Sequence, residues 1–123
     1  MSVPRSVPTA RAPSLELALY ARDAGVERGS TSAVCFPRST DEIAAAVHVA
    51  RRHGVPFVAR GSGTGLAGGA TPLDDAVVIV TTQMNRVLEV DPSERIAWVE
   101  PGVLNLDLSR AVSHLGLHYA PDP

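Results

Sequence analysis

Apolar residues fall along this chain in short runs, and the polar residues between them change period from one stretch to the next. Ala33–Phe36 is an unbroken apolar run stopped by Pro37, which reads as a short strand. From Ser39 the period lengthens: Ile43, Val47 and Ala50 share one face of a helix, while Asp41, His48, Arg51 and Arg52 lie elsewhere. Ser39 followed three residues on by Glu42 has the form of a capping box, and Gly54 stops the helix. Val55–Ala59 is β-prone again. Residues 33–59 therefore predict strand, helix and strand in the spacing of a right-handed parallel crossover.

Leu15, Ala18 and Leu19 recur at helical spacing, predicting a short outlying helix over Leu15–Arg22 with Gly25 just beyond. Three further strands are predicted at Ala76–Thr81, Val87–Val90 and Ile96–Glu100, and the DPSE at Asp91–Glu94 turns the last two into a hairpin. Asn105 is placed to cap a final helix whose apolar face is Leu108, Ala111, Val112 and Leu115, ended by Gly116. The fold class is α/β (α+β): a small parallel βαβ unit with further strands and a helix.

Composition narrows the classes. With 123 residues, 45% hydrophobic and 20% charged, the chain is globular and large enough for one modest core. Its formal net charge of −2, with both signs interspersed, excludes a broad basic face for nucleic acid. The single cysteine, Cys35, sits in an apolar run and reads as core packing. No apolar stretch approaches the roughly 18 to 20 residues of a membrane span, and a cytoplasmic location is expected. Residues 1–14 are rich in Pro, Ser and Arg; Pro4, Pro8 and Pro13 would interrupt a targeting helix, so a flexible tail is expected there, followed by one domain over 15–123. The chain stops at YAPDP directly after its last helix, as a domain does when its continuation is missing.

The unusual chemistry lies in RGSGTGLAGGATP, residues 60–72. Gly63, Gly65 and Gly68 satisfy GxGxxG, but a dinucleotide fold needs a helix after the loop to receive the pyrophosphate. Here Thr71-Pro72 and a β-branched run come next instead, and no Gly-Lys-Ser/Thr is present for a Walker loop. A nicotinamide-binding Rossmann protein is thus a remote alternative. Two readings stand: a flexible surface loop whose glycines mark bends, or a nest of backbone amides for an anion such as pyrophosphate, with Ser62 and Thr64 as hydroxyl donors. Arg60 either adds charge to such a nest or braces it.

The ordered segments PFVARGSGTGLAGGATP, VVIVTTQMNRVLEVD, AWVEPGVLNLDLSRAV and GLHYAPDP resemble the FAD-binding domain of the vanillyl-alcohol oxidase and p-cresol methylhydroxylase (PCMH) type. The nearest likeness is to the group of D-2-hydroxyacid dehydrogenases that includes the glycolate oxidase flavoprotein subunit. The resemblance implies the first subdomain of a PCMH-type domain, truncated before the second. It implies FAD bound by Arg60, Gly61, Ser62, Gly63, Thr64, Gly65, Gly68 and Gly69, with Pro101, Gly102, Pro121 and Asp122 bordering it. Some relatives attach flavin through a histidine where this chain has Thr64, so non-covalent binding is expected. The implied activity is oxidation of a D-2-hydroxyacid such as glycolate or D-lactate. The implied partners are the missing C-terminal part or an iron–sulfur electron-transfer subunit. The alternative is a split or truncated fragment, inactive alone.

The remaining candidates have ordinary explanations. His114 and His118 are separated by the helix-ending Gly116, which spoils a shared metal site. His48 and His53 fall on or near a polar helix face, Trp98 reads as half-buried packing, Met84 as core, and Asp74-Asp75 as a turn.

Overall fold

A computed structural model describes residues 15–121; the expected tail at 1–14 and Asp122 lie outside them. Helix α1 (Leu15–Ala18) leads to strand β1 (Thr31–Cys35), helix α2 (Thr40–Arg52), strand β2 (Phe57–Arg60) and strand β3 (Ala76–Val80). A 3₁₀ turn at Thr81–Gln83 connects to the strands β4 (Val87–Asp91) and β5 (Ile96–Val99), and helix α3 (Asn105–Val112) closes the described chain with a second 3₁₀ turn at Ser113–Leu115.

Two sheets result. The first has three parallel strands in the order β1-β3-β2, with Val34 opposite Val78 on one side and Val58 opposite Val78 on the other. The expected strand–helix–strand unit is present, but its strands are not neighbours: β3 inserts between them. Burial explains the choice. β3 is apolar at every position and Val78, Ile79 and Val80 are all buried, as a central strand covered on both faces must be. The segment FVAR alternates exposed and half-buried residues, which suits an edge.

Leu17 of α1 packs with Val34, Val78 and Val80 on one face of the sheet, while Cys35, Ala46 and Ile79 form the core beneath α2 on the other. The expectation of an outlying first helix is therefore corrected: α1 is short but belongs to the core. It is shorter than the predicted Leu15–Arg22 because Leu19, Tyr20 and Ala21 donate to carbonyls three residues back, tightening the chain into a turn. For α2, Ser39 Oγ accepts from the Glu42 amide at 3.3 Å, as foreseen, but the Glu42 carboxylate accepts from the Arg38 amide at 2.8 Å, so half of the capping box is displaced by one residue.

The second sheet is the antiparallel hairpin β4-β5. Its turn is set by Asp91, whose Oδ1 accepts from the Ser93 hydroxyl at 2.6 Å and from the Ser93 and Glu94 amides. The Ser93 hydroxyl, chiefly, holds the Asp91 carboxyl below its ordinary pKa. Asn105 does not cap α3 as predicted. Leu104 is the N-cap, and the Asn105 amide donates to the Pro121 carbonyl at 3.2 Å. Of the predicted apolar face only Val112 is buried; between α3 and the hairpin remains a hollow of about 440 Å³ bordered by Val90, Ile96, Leu108 and Tyr119. Met84 is buried and Trp98 half-exposed, as expected.

Candidate cofactor site

The glycine loop is the crossover from β2 to β3. These strands are parallel neighbours, so the chain leaving Arg60 must return the length of the sheet before entering β3 at Ala76. A helix usually makes that journey; here Gly61–Asp75 makes it without one. With a strand rather than a helix at the exit of the loop, the Rossmann arrangement is ruled out.

The first turn of the loop is folded around an arginine. Arg60 donates through Nη1 to the Arg22 carbonyl at 2.6 Å, and its guanidinium lies 5.5 Å from the centre of the Tyr20 ring, which meets Phe36 edge-on. Gly63, at φ 78°, passes so close that a Cβ would overlap the guanidinium. In this arrangement Arg60 braces the loop. The second half of the loop is fastened to the α1–β1 connection, where Ala24 donates to the Gly65 carbonyl and Ser30 to the Pro72 carbonyl, each at 3.1 Å. Asp23, buried in that connection, accepts from the Gly25 amide at 2.8 Å. Sequence reasoning missed the bonds from Arg60, Ala24 and Ser30 because each joins distant segments without a local motif.

Gly61, Gly65 and Gly69 differ from Gly63. A Cβ at any of them would meet no heavy atom within 4 Å, and none has a positive φ. The packing of the chain does not call for glycine there; what these residues supply is bare backbone facing open space. No backbone amide from Ser62 to Ala70 donates to an acceptor among the described residues, which leaves a run of hydrogen-bond donors suited to an anion. Beside them Tyr20, Phe36, Arg60, Gly61, Ser62 and Thr82 border a hollow of about 240 Å³ at the C-terminal ends of the parallel strands, the end at which open α/β sheets hold ligands.

Pro101 and Gly102 are brought to the same place. Thr81 Oγ1 lies 3.4 Å from the Arg60 carbonyl and 3.5 Å from that of Pro101, and the Gly102 amide donates to the Met84 carbonyl at 2.8 Å. A side chain on Gly102 would collide with the Thr81 carbonyl. Pro121 is tied instead to the start of α3 through Asn105. Thr81 went unnoticed in the sequence, where nothing distinguishes it from Thr82. Among the described residues there is no cluster of three or more metal-binding side chains, and no helix is long and apolar enough to cross a membrane.

Comparison with known proteins bears on this geometry. The family model of the FAD binding domain matches residues 31–123. The glycolate oxidase subunit GlcD of Bacillus subtilis is 44% identical over 106 residues, covering 85% of this chain and 23% of the relative. A D-lactate dehydrogenase of Anaerostipes hadrus is 38% identical over 85 residues, covering 69% of this chain and 18% of the relative. The chain thus spans about a fifth of the length of these relatives. The crystal structure of p-cresol methylhydroxylase superposes with a TM-score of 0.74 over 88% of this chain and 22% of its own, at 22% identity, which establishes the fold alone. The chain belongs to the FAD binding domain family, with the PCMH-type fold its sequence implied, and FAD is its cofactor.

Proposed function

We propose that the loop formed by Arg60, Gly61, Ser62, Gly63, Thr64, Gly65, Gly68 and Gly69 cradles the pyrophosphate of FAD, with Pro101, Gly102, Pro121 and Asp122 bordering the cofactor. The observation that carries this reading is the bare backbone at Gly61, Gly65 and Gly69, which nothing inside the chain requires and which close-approaching phosphates do. Ser62 and Thr64 add hydroxyl donors, and Arg60 holds the turn in shape from beneath. Thr64 carries no ring nitrogen, so the cofactor is held without a covalent bond at that position. In this reading residues 15–123 act as one cofactor-binding unit.

The chain is, in this proposal, the FAD-binding segment of a cytoplasmic flavin oxidoreductase acting on a D-2-hydroxyacid such as glycolate or D-lactate, the classes named by its relatives. Bound FAD supplies the two-electron oxidising capacity, and the protein supplies binding and orientation. The chain spans about a fifth of the length of these relatives, so in this reading the groups that act on substrate belong to further polypeptide, and electrons leave to an acceptor such as an iron–sulfur subunit. Leu88, Ile96 and Trp98 of the hairpin are about half exposed or more, apolar surface that such polypeptide would cover. The same exposure supports the second reading, a cofactor-binding fragment that is inactive alone.

The test is a titration of the purified chain with FAD, followed by flavin fluorescence and thermal melting. Quenched or shifted fluorescence with a raised melting midpoint is expected; unperturbed flavin together with an unchanged midpoint would refute the cradle.

A further inference from the structure

The base of the hairpin carries an ion pair more elaborate than closing a hairpin requires. The main chain already closes it, with the Glu100 amide donating to the Arg86 carbonyl at 2.9 Å. To this is added a carboxylate of which only 8% is exposed, while the Arg86 side chain is 73% exposed. Glu100 Oε2 accepts from the Arg86 amide at 2.8 Å, and Oε1 accepts from Nη2 at 2.7 Å and from Nε at 3.1 Å. A carboxylate bound to a backbone amide and to two nitrogens of a planar guanidinium has its plane fixed as well as its position.

The turn immediately beyond Glu100 gives this rigidity a use. Its residues are Pro101 and Gly102, and Gly102 is pinned to the carbonyl of Met84, two residues before Arg86. Thr81, whose carbonyl accepts from the Met84 amide at 2.9 Å, has its hydroxyl between the carbonyls of Pro101 and Arg60. A continuous path therefore runs from the Glu100 carboxylate through the Pro101–Gly102 turn and Thr81 to the first residue of the glycine loop.

We propose that Glu100, clamped by Arg86, is a positioning residue that sets the placement of the Pro101–Gly102 turn against the glycine loop, and through Thr81 sets the affinity of the loop for FAD. This rests on the reading of the loop as the cofactor cradle. Glu100 touches no ligand itself; it acts through the turn.

The experiment combines FAD titration with amide hydrogen exchange on the wild-type chain, Glu100→Ala, Glu100→Gln, Arg86→Gln and the double variant Glu100→Gln with Arg86→Gln. Glu100→Ala should weaken FAD binding about tenfold and speed exchange at Gly102 and at the amides of Ala24 and Thr71, which donate to the loop carbonyls of Gly65 and Gly68, leaving α2 and β3 as protected as before. Glu100→Gln keeps an acceptor for the Arg86 amide and should fall between Ala and wild type, and Arg86→Gln should add little on top of Glu100→Gln. Exchange that rises throughout the molecule would make Glu100 a general stabiliser and overturn the proposal, as would loop exchange or FAD affinity unchanged in both Glu100 variants. A wild-type chain that fails to bind FAD sinks the cradle reading and with it the claim on affinity, whereas the exchange comparison still decides whether Glu100 orders the loop.

Discussion

Replacing single glycines of the loop by alanine separates those the fold needs from those a ligand needs. At Gly63 the methyl meets two costs. The left-handed φ of 78° disfavours an L-residue by about 1 kcal/mol, and the overlap with Arg60 forces the guanidinium out. Its bond to the Arg22 carbonyl is worth about 1.5 kcal/mol after allowing for partial exposure, and its contact with Tyr20 about 0.5 kcal/mol. Gly63→Ala should therefore lose about 3 kcal/mol, which for a domain of this size lowers the melting midpoint by about 10 °C. At Gly65 neither cost exists, since φ is not positive and a Cβ meets nothing within 4 Å. Gly65→Ala should melt with the wild type or slightly above it, gaining up to about 0.5 kcal/mol from a less flexible unfolded chain, yet bind FAD at least about tenfold more weakly. Differential scanning fluorimetry and a flavin fluorescence titration measure both quantities on the same samples. A Gly63→Ala variant as stable as wild type would refute the bracing role of Arg60, and a Gly65→Ala variant with undiminished affinity would refute the cradle.

Three further outcomes are expected. Arg86 holds the Glu100 carboxyl below its ordinary pKa, as the Ser93 hydroxyl does for Asp91; the stability these groups confer is complete above the ordinary carboxylate range and is lost as pH falls through the depressed folded values. The melting midpoint should accordingly be flat from pH 8 to 6 and drop below about pH 4, less steeply in Ser93→Ala. Cys35 is buried, and desolvation raises its thiol pKa, so mass spectrometry after iodoacetamide at neutral pH should find it unmodified until denaturant is added. Val78 is fully buried in the central strand, and Val78→Ala should cost about 2 kcal/mol, read as a lower urea midpoint with an unchanged slope.

The parts legible in the sequence were those whose causes are local. The period of Ile43, Val47 and Ala50 and the cap at Ser39 lie within a few residues of one another, and Asp91 bonds to Ser93 and Glu94 within its own turn. Strand order was not legible, because an apolar run announces a strand without naming its neighbours; the unbroken apolar run of β3 beside the shorter FVAR of β2 was the available clue. Asn105 misled for a related reason. Its type suits a cap, but its amide is taken by Pro121, a partner no local pattern reveals. At the site, the loop stood out by its glycines, whereas Tyr20, Thr81 and Glu100 act across gaps in the chain and are ordinary residues for their surroundings.

The position of β3 between β1 and β2 also dictates an order of events during synthesis. β1 and β2 have no ladder to join until the chain has emerged through Val80, since every strand pair in the parallel sheet includes β3. α2 can coil early from local bonds, but its apolar face waits for Ile79. Pairing β1 with β3 closes the long stretch between Thr31 and Ala76, whereas pairing β2 with β3 closes only the glycine loop, which is the shorter and therefore the less costly closure. Changes that stiffen the loop in its closed shape should speed refolding, and the nascent chain stays vulnerable to proteases until the third strand arrives.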